Sequence, residues 1–280
     1  MDLISVVIPS LGGANIIDTI EALNQGTLIP DEVLICVPEN TVLDLGVFSN
    51  CRIIFCEKRS QVAQRAKGLS LAKNPFVLQL DDDTLLDERC LETLLESLKK
   101  LSENSAIAPA ILDLATGESI YKNEVKSTWF RNFYLYLING KNKYIPGTVT
   151  LVGSYFGPIY ALGENKIIQV EALAGCCVLH RQANLIFMDY FLFSGKAYGE
   201  DLIASCLYER KGIKFYVNCA AICFTPSAPI GTFSMLELIK DLRSKGYYLI
   251  LTRKLGLNFF FYCIIKVVRG FYLSLRAKSF

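Results

Sequence analysis

The sequence predicts an α/β fold, a mainly parallel central sheet flanked by helices, and three observations carry that prediction. Strand and helix patterns alternate through the first hundred residues, as successive βαβ units do. At 280 residues and 52% hydrophobic, the chain is long enough to bury a full core. One apolar run, Pro75-Phe-Val-Leu-Gln-Leu80, ends in Asp81-Asp82-Asp83. In parallel sheets, ligands bind beyond the carboxyl ends of the strands.

The elements follow in order. Ile4-Ser-Val-Val-Ile8 is a β-branched run that stops at Pro9-Ser10 and a Gly12-Gly13 turn. Ile16, Ile17, Ile20 and Leu23 then fall at helical spacing, and Glu32–Val37 and Arg52–Cys56 read as strands. Val62, Ala66 and Leu69 mark one helical face between Ser60 and Ala72. After the strand Phe76–Leu80, Leu91, Leu94, Leu95, Leu98 and Leu101 stripe another helix. Residues 119–165, rich in Tyr, Phe, Gly and Asn, are expected to form loops and short strands over one edge of the sheet. Ile167–Ala172 reads as a strand and Gly175–His180 as its apolar continuation. Glu200-Asp201 opens a helix carrying Leu202, Ile203, Cys206 and Leu207; Lys211-Gly212 ends it, and Lys214–Val217 is another strand.

Three carboxylates at the end of a buried strand repel one another and gain nothing from folding alone. A cation or a cationic network is what neutralises such crowding. Oxygen-only ligands suit Mg²⁺ or Mn²⁺, held by one or two carboxylates and completed by substrate phosphates. The alternative is an acidic turn that caps the helix beginning near Asp87-Glu88. Ser10 lies at the same end of the first strand, so the topology puts it on the rim that carries Asp81–Asp83.

No signal peptide is expected, because Met1-Asp2-Leu3 leads straight into a strand pattern without a basic n-region. The ten cysteines are scattered, mostly inside apolar segments (Cys36, Cys56, Cys206, Cys263), and no CxxC pair occurs. Buried free thiols account for them, and a zinc site is not expected. Net charge is +2 overall, yet residues 239–280 hold nine Lys and Arg against Asp241 alone. That leaves the tail at +8 and the rest of the chain at −6. A basic, aromatic-rich tail suits an anionic surface. On a helical wheel Lys254, Asn258, Lys266, Arg269 and Arg276 gather on one side and Phe260, Cys263, Ile264, Val267 and Phe271 on the other. Two readings stand: a helix in the membrane interface over 250–280, or one packed on the domain or on a second copy in a homo-oligomer. No nucleic acid partner is expected, since the basic residues are interleaved with aliphatics.

Five segments in order resemble the family-two glycosyltransferases of the GT-A fold: Ser5-Val-Val-Ile-Pro9-Ser10, Ala63-Gln-Arg65-Ala-Lys-Gly68, Leu80-Asp-Asp-Asp83, Ala174-Gly175-Cys-Cys-Val-Leu-His-Arg181 and Gly199-Glu-Asp201. The resemblance covers roughly residues 3–225 and implies transfer from a nucleotide-diphosphate sugar with inversion. It further implies that Pro9 and Ser10 line the nucleotide pocket, that Arg65 helps hold base or diphosphate, and that Asp82 sits near the ribose. Asp83 and Asp81 would approach a divalent cation, Mn²⁺ or Mg²⁺. Asp201 would be the general base, with Glu200 the alternate. Glu39 stands where the family usually carries a nucleobase-contacting acid, slightly out of register. The family's frequent histidine near the metal is replaced by Phe224-Thr225-Pro226, and the common aromatic-Asn turn by Ser10-Leu11-Gly12.

The expected organisation is a GT-A domain over 1–232, with a nucleotide-sugar half (1–110) and an acceptor half (111–232). A basic amphipathic tail follows over 233–280. The expected activity is hexosyl or deoxyhexosyl transfer to a glycan or lipid-linked acceptor, for surface polysaccharide, peripherally at the cytoplasmic face of the membrane. The alternative is a non-catalytic, membrane-docked subunit of the same fold.

Overall fold

The computed structural model describes residues 2–13, 15–46, 48–121, 128–141, 143–160, 164–193, 197–226 and 234–277, with side chains as far as 270. In chain order the elements are β1 (Ile4–Pro9), α1 (Asn15–Gln25), β2 (Glu32–Pro38), β3 (Cys51–Cys56), α2 (Gln61–Leu71), β4 (Phe76–Leu80), β5 (Leu85–Leu86), α3 (Cys90–Lys100) and β6 (Ser105–Asp113). Then come α4 (Trp129–Asn139), β7 (Thr148–Val149), β8 (Tyr155–Phe156), β9 (Ile167–Val170), β10 (Cys177–Arg181), α5 (Glu200–Arg210), β11 (Lys214–Thr225), α6 (Met235–Leu251) and α7 (Leu257–Ala277). The chain divides into two compact units, Met1–Ile120 with Tyr160–Ser227, and Tyr121–Ile159 with Ala228–Phe280.

The first unit holds the sheet, in the order β3-β2-β1-β4-β10-β6-β11-β5, with β9 also paired to β11. β3, β2, β1 and β4 are mutually parallel, as are β6 and β11, while β10 runs antiparallel between β4 and β6. The expected α/β, mainly parallel architecture is present. β1 shows why it needs two layers of helix. Ile4, Val6 and Ile8 enter the core built with α1 and α3, and Val7 enters the opposite core with Leu69 of α2.

Two local features seat α2 at the carboxyl ends of the strands. The Ser60 side chain caps its first turn by accepting from the Ala63 N–H. Gly68 lies so close to Val7 and Cys36 that a Cβ there would overlap both side chains. The close approach lets Gln64 donate to the Ser10 and Cys36 carbonyls at 2.7 and 2.8 Å.

Elsewhere the structure differs from the pattern. Every residue of β6 is buried, so no alternation marks it, and it contains Pro109. A central strand accepts proline only where pairing is irregular, and here the register with β11 shifts between Asn218 and Ile222, opposite Pro109 and Ala110. β11 continues through this bulge to Thr225, well beyond the expected Val217.

In the second unit, α4 is a helix where loops and short strands are expected. Its frame is conventional: Thr128 caps it by accepting from the Arg131 N–H, and Gly140 ends it at φ 67°. The aromatic residues obscure its period, because Trp129, Phe130, Phe133 and Tyr136 point outward while Leu135 and Ile138 point in. Leu135 and Ile138 join Val152, Phe156 and the buried Tyr262 of α7 in one core. The tail is two helices, and α7 turns a different face inward than its charges suggest. Asn258 donates to the Leu137 carbonyl at 2.6 Å, and the Lys266 ammonium lies 5.4 Å from the Tyr262 ring centroid. Phe260, Phe261, Ile264 and Val268 face outward. Phe259 and Tyr262 fix the orientation: they share the face of Asn258 and Lys266, and both pack into the core of this unit. The side chains of Phe271 and Arg276 lie outside the described residues. Among the described residues, no helix is long and apolar enough to cross a membrane.

Candidate active site

β1 and β4 are adjacent and parallel, so their carboxyl ends reach the same rim. There the Ser10 hydroxyl donates to Asp82 Oδ2 at 2.5 Å and accepts from the Gly12 N–H at 3.0 Å. The Thr19 hydroxyl donates to the Asp82 carbonyl at 3.0 Å. Pro9, Ser10, Gln61 and Asp81–Asp83 line an open cleft of about 700 Å³, whose wall also includes Arg59 and Ala197. Glu39 lies in the exposed turn after β2, where its N–H donates to the Cys56 carbonyl, and it is not among the residues lining this cleft.

The second acidic pair opens α5. Gly199, at φ 66°, turns the chain so that Glu200 points inward. Its carboxylate meets the Arg65 guanidinium, and the same guanidinium bonds Asp81 Oδ1 at 3.0 Å. The Arg65 and Glu200 side chains are only 4% and 5% exposed. Tyr190 completes the knot, its hydroxyl donating to Glu200 Oε2 at 2.5 Å, while Gln61 donates to Asp81 Oδ1 at 3.0 Å. Arg65 therefore lies beneath the rim with both terminal nitrogens on protein carboxylates, and it is not among the residues lining the cleft.

Asp201 sits differently. Its Oδ1 occupies the space where a side chain at Gly175 would begin, and Gln79 holds that loop by donating to the Gly175 carbonyl at 2.6 Å. Beside it, Gln79, Gly175, His180, Asp201, Ser205 and Tyr208 surround a cavity of about 20 Å³, room enough for one water. His180 is 2% exposed, stacks on Tyr208, and its Nδ1 has no partner within hydrogen-bonding distance.

The electrostatics divide the acids. Burial works to raise the Glu200 pKa, but Arg65, followed by the Tyr190 hydroxyl, holds it below the usual carboxylate range. Burial and then the charge of Glu200 push Asp201 well above that range. Asp81 is raised to about 6, mainly by burial, against the pull of Arg65. Glu200 is thus the clamped anion, and Asp201 is the member of the pair with proton affinity to spare.

Among the described residues lining the cleft, the charged oxygen donors are the carboxylates of Asp81–Asp83, and hard oxygen donors fit Mg²⁺ or Mn²⁺. Among the described residues, no group of three or more His, Cys, Asp or Glu is arranged to hold an ion. The donor set therefore fits a cation bound through one or two carboxylates and completed by ligand oxygens.

The sequence profile of Glycosyl transferase family 2 matches residues 5–156, more than half of the chain. The chain belongs to that family. Its fold resembles GalNAc-T7, solved with UDP, GalNAc and Mn²⁺, at a TM-score of 0.60 and 14% identity over 90% of this chain and 48% of that one. It also resembles S. aureus TarS residues 1–349, at a TM-score of 0.51 and 16% identity over 89% of this chain and 65% of that one. The chain thus spans less than two thirds of either solved protein, and at these identities the likeness establishes the GT-A fold. No curated protein matches the sequence.

In this family-two chain, Arg65 links the elements expected as donor and acceptor sides, for Asp81 and Glu200 share one guanidinium. Sequence reasoning missed Gln61, Gln64 and Tyr190. Gln61 and Gln64 were open to discovery, three residues apart on the helix that carries Arg65. Nothing marks Tyr190, which comes from irregular chain.

Proposed function

We propose that this glycosyltransferase moves a hexosyl or deoxyhexosyl group, with inversion, from a nucleotide-diphosphate donor to a lipid-linked glycan acceptor. The work belongs to surface-polysaccharide synthesis at the cytoplasmic face of the membrane. The observation that carries the reading is the arrangement of Asp81 and Glu200 around one buried Arg65. It supports a charge-neutralising acid group at the cleft coupled through one guanidinium to a proton-accepting pair beside it, the two functions that inverting transfer requires.

Pro9 and Ser10 bound the nucleotide, and the Ser10 hydroxyl keeps Asp82 oriented toward the ribose. Asp83 and Asp81 would hold a divalent cation, which would supply charge stabilisation for a leaving diphosphate. Arg65 acts through Asp81 and Glu200, fixing where each carboxylate stands. Asp201 takes the proton of the acceptor hydroxyl as the new bond forms. Its raised pKa makes it, once ionised, a stronger proton acceptor than Glu200, whose charge is spent on Arg65 and Tyr190. The basic tail over 250–280 meets anionic lipid headgroups, which brings the enzyme to a lipid-linked acceptor.

A panel of nucleotide sugars read by thermal shift, with and without Mn²⁺, identifies the donor. With that donor, Asp201→Asn and Asp83→Ala should each lower transfer by about a thousandfold or more while circular dichroism stays native. Full turnover in both variants refutes these roles.

A further inference from the structure

We propose that α4 of the second unit forms a docking face for an anionic lipid bilayer, with its aromatic stripe as the part that enters it. The inference deepens the membrane element of the proposed function and moves its centre to a helix outside the basic tail.

α4 carries Trp129, Phe130, Phe133 and Tyr136 at 72, 78, 55 and 59% exposure. Single exposed rings are ordinary, but a contiguous stripe of them is a binding surface. The Trp129 and Phe133 rings stack at 6.0 Å, and Phe130 meets Trp129 edge-on at 4.9 Å, so the rings form one preassembled patch. An open groove of about 630 Å³ runs beside it, lined also by Lys141 and Lys143. The opposite face of α4 is already committed to the core through Leu135 and Ile138. α7 repeats the arrangement. Tyr262 is buried with that core, and Leu257, Phe260, Ile264 and Val268 stand 75, 60, 45 and 63% exposed. Their spacing of three and four residues makes a second outward stripe.

Charge selects the occupant. Residues 128–143 contain Arg131, Lys141 and Lys143 and no acid, and residues 239–280 are net +8. A second copy of the chain would bring the same positive field against itself, which opposes self-association. Nucleic acid would leave the aliphatic side chains of α7 in water. Tryptophan and tyrosine rings flanked by lysines are the chemistry of the headgroup boundary, where rings sit in the apolar margin and ammonium groups meet phosphate.

Trp129 is the chain's only tryptophan, so intrinsic emission reports α4 alone. The full-length protein is titrated with vesicles of phosphatidylglycerol and phosphatidylcholine in equal parts, and with phosphatidylcholine alone. Anionic vesicles should shift Trp129 emission to the blue and shield it from acrylamide, with weaker partitioning into neutral ones. Lys141→Glu with Lys143→Glu should weaken partitioning by about 25-fold or more, and Phe133→Ala by about tenfold, with unchanged circular dichroism. Co-sedimentation with Trp129 still fully quenchable assigns binding to the tail and overturns the role of α4. A blue shift that tracks protein concentration without lipid assigns the face to a second copy and overturns the bilayer. Absence of any shift or co-sedimentation at low salt overturns the docking face entirely. The measurement needs no donor or acceptor, and Asp201→Asn should bind vesicles normally, so failure here is separable from failure of the catalytic assignment.

Discussion

The two units depart from the rule of apolar inside and polar outside in opposite directions. In the sheet-bearing unit the anomaly is interior: Arg65 and Glu200 are buried as an ion pair beside Asp81. In the second unit it is exterior, with four aromatic residues of α4 more than half exposed. A buried ionic network is costly to desolvate and collapses when one partner is removed. An exposed ring changes the free energy of the folded chain very little. Mutation should therefore hurt folding in the first unit and leave it nearly untouched in the second, whatever it does to function.

Arg65→Met tests the contrast most severely. It strands Glu200 and Asp81 as buried, unpaired acids and should cost about 3–5 kcal/mol in urea unfolding. Phe133→Ala should stay within about 0.5 kcal/mol of the parent. Equal losses from the two variants would erase the distinction.

His180 sharpens it through pH. Burial, and secondarily Arg65, lowers its pKa from 6.5 to about 3, so the folded protein holds it neutral. Below pH 6.5 the unfolded chain binds a proton that the folded chain refuses, so stability is lost as pH falls from 6.5 toward 3. At about pH 4 this group's share of the loss is roughly 3 kcal/mol. His180→Phe should flatten that limb of the stability profile; an unchanged slope would mean that other groups govern acid unfolding.

Gly175→Ala should have a moderate effect on stability and a large one on rate. The new Cβ overlaps Asp201 Oδ1, which must give way. A cost of about 1–3 kcal/mol is expected, with a fall of about a hundredfold in kcat from a displaced base. Wild-type kcat with a lowered Tm would show that the position of Asp201 is not limiting.

Much of the first unit was legible before any coordinates. α1, α2 and α3 and the strands β2, β3 and β4 follow from period and punctuation, and the neighbouring ends of β1 and β4 follow from parallel topology. β6 was hidden because a strand buried on both faces has no alternation, and Pro109 argues against a strand unless the bulge opposite it is known. α4 was hidden because its exposed positions are aromatic, which erases the polar half of an amphipathic pattern, although Thr128 and Gly140 bracket it. The inward face of α7 is set by Phe259 and Tyr262, which the charge pattern does not single out.

The amino-acid order by itself determined α1, α2, α3 and the strands β1 to β4, and where acids crowd at their ends, because backbone conformation and short-range periodicity are local properties. Only the tertiary structure decided which acid of the pair at 200–201 is bound to a cation and which keeps its proton affinity. Arg65 and Glu200 are 135 residues apart, and their meeting depends on how tightly α2 and α5 close on the sheet. Ionic partners over such separations are products of packing, and burial then sets the charge that each group carries.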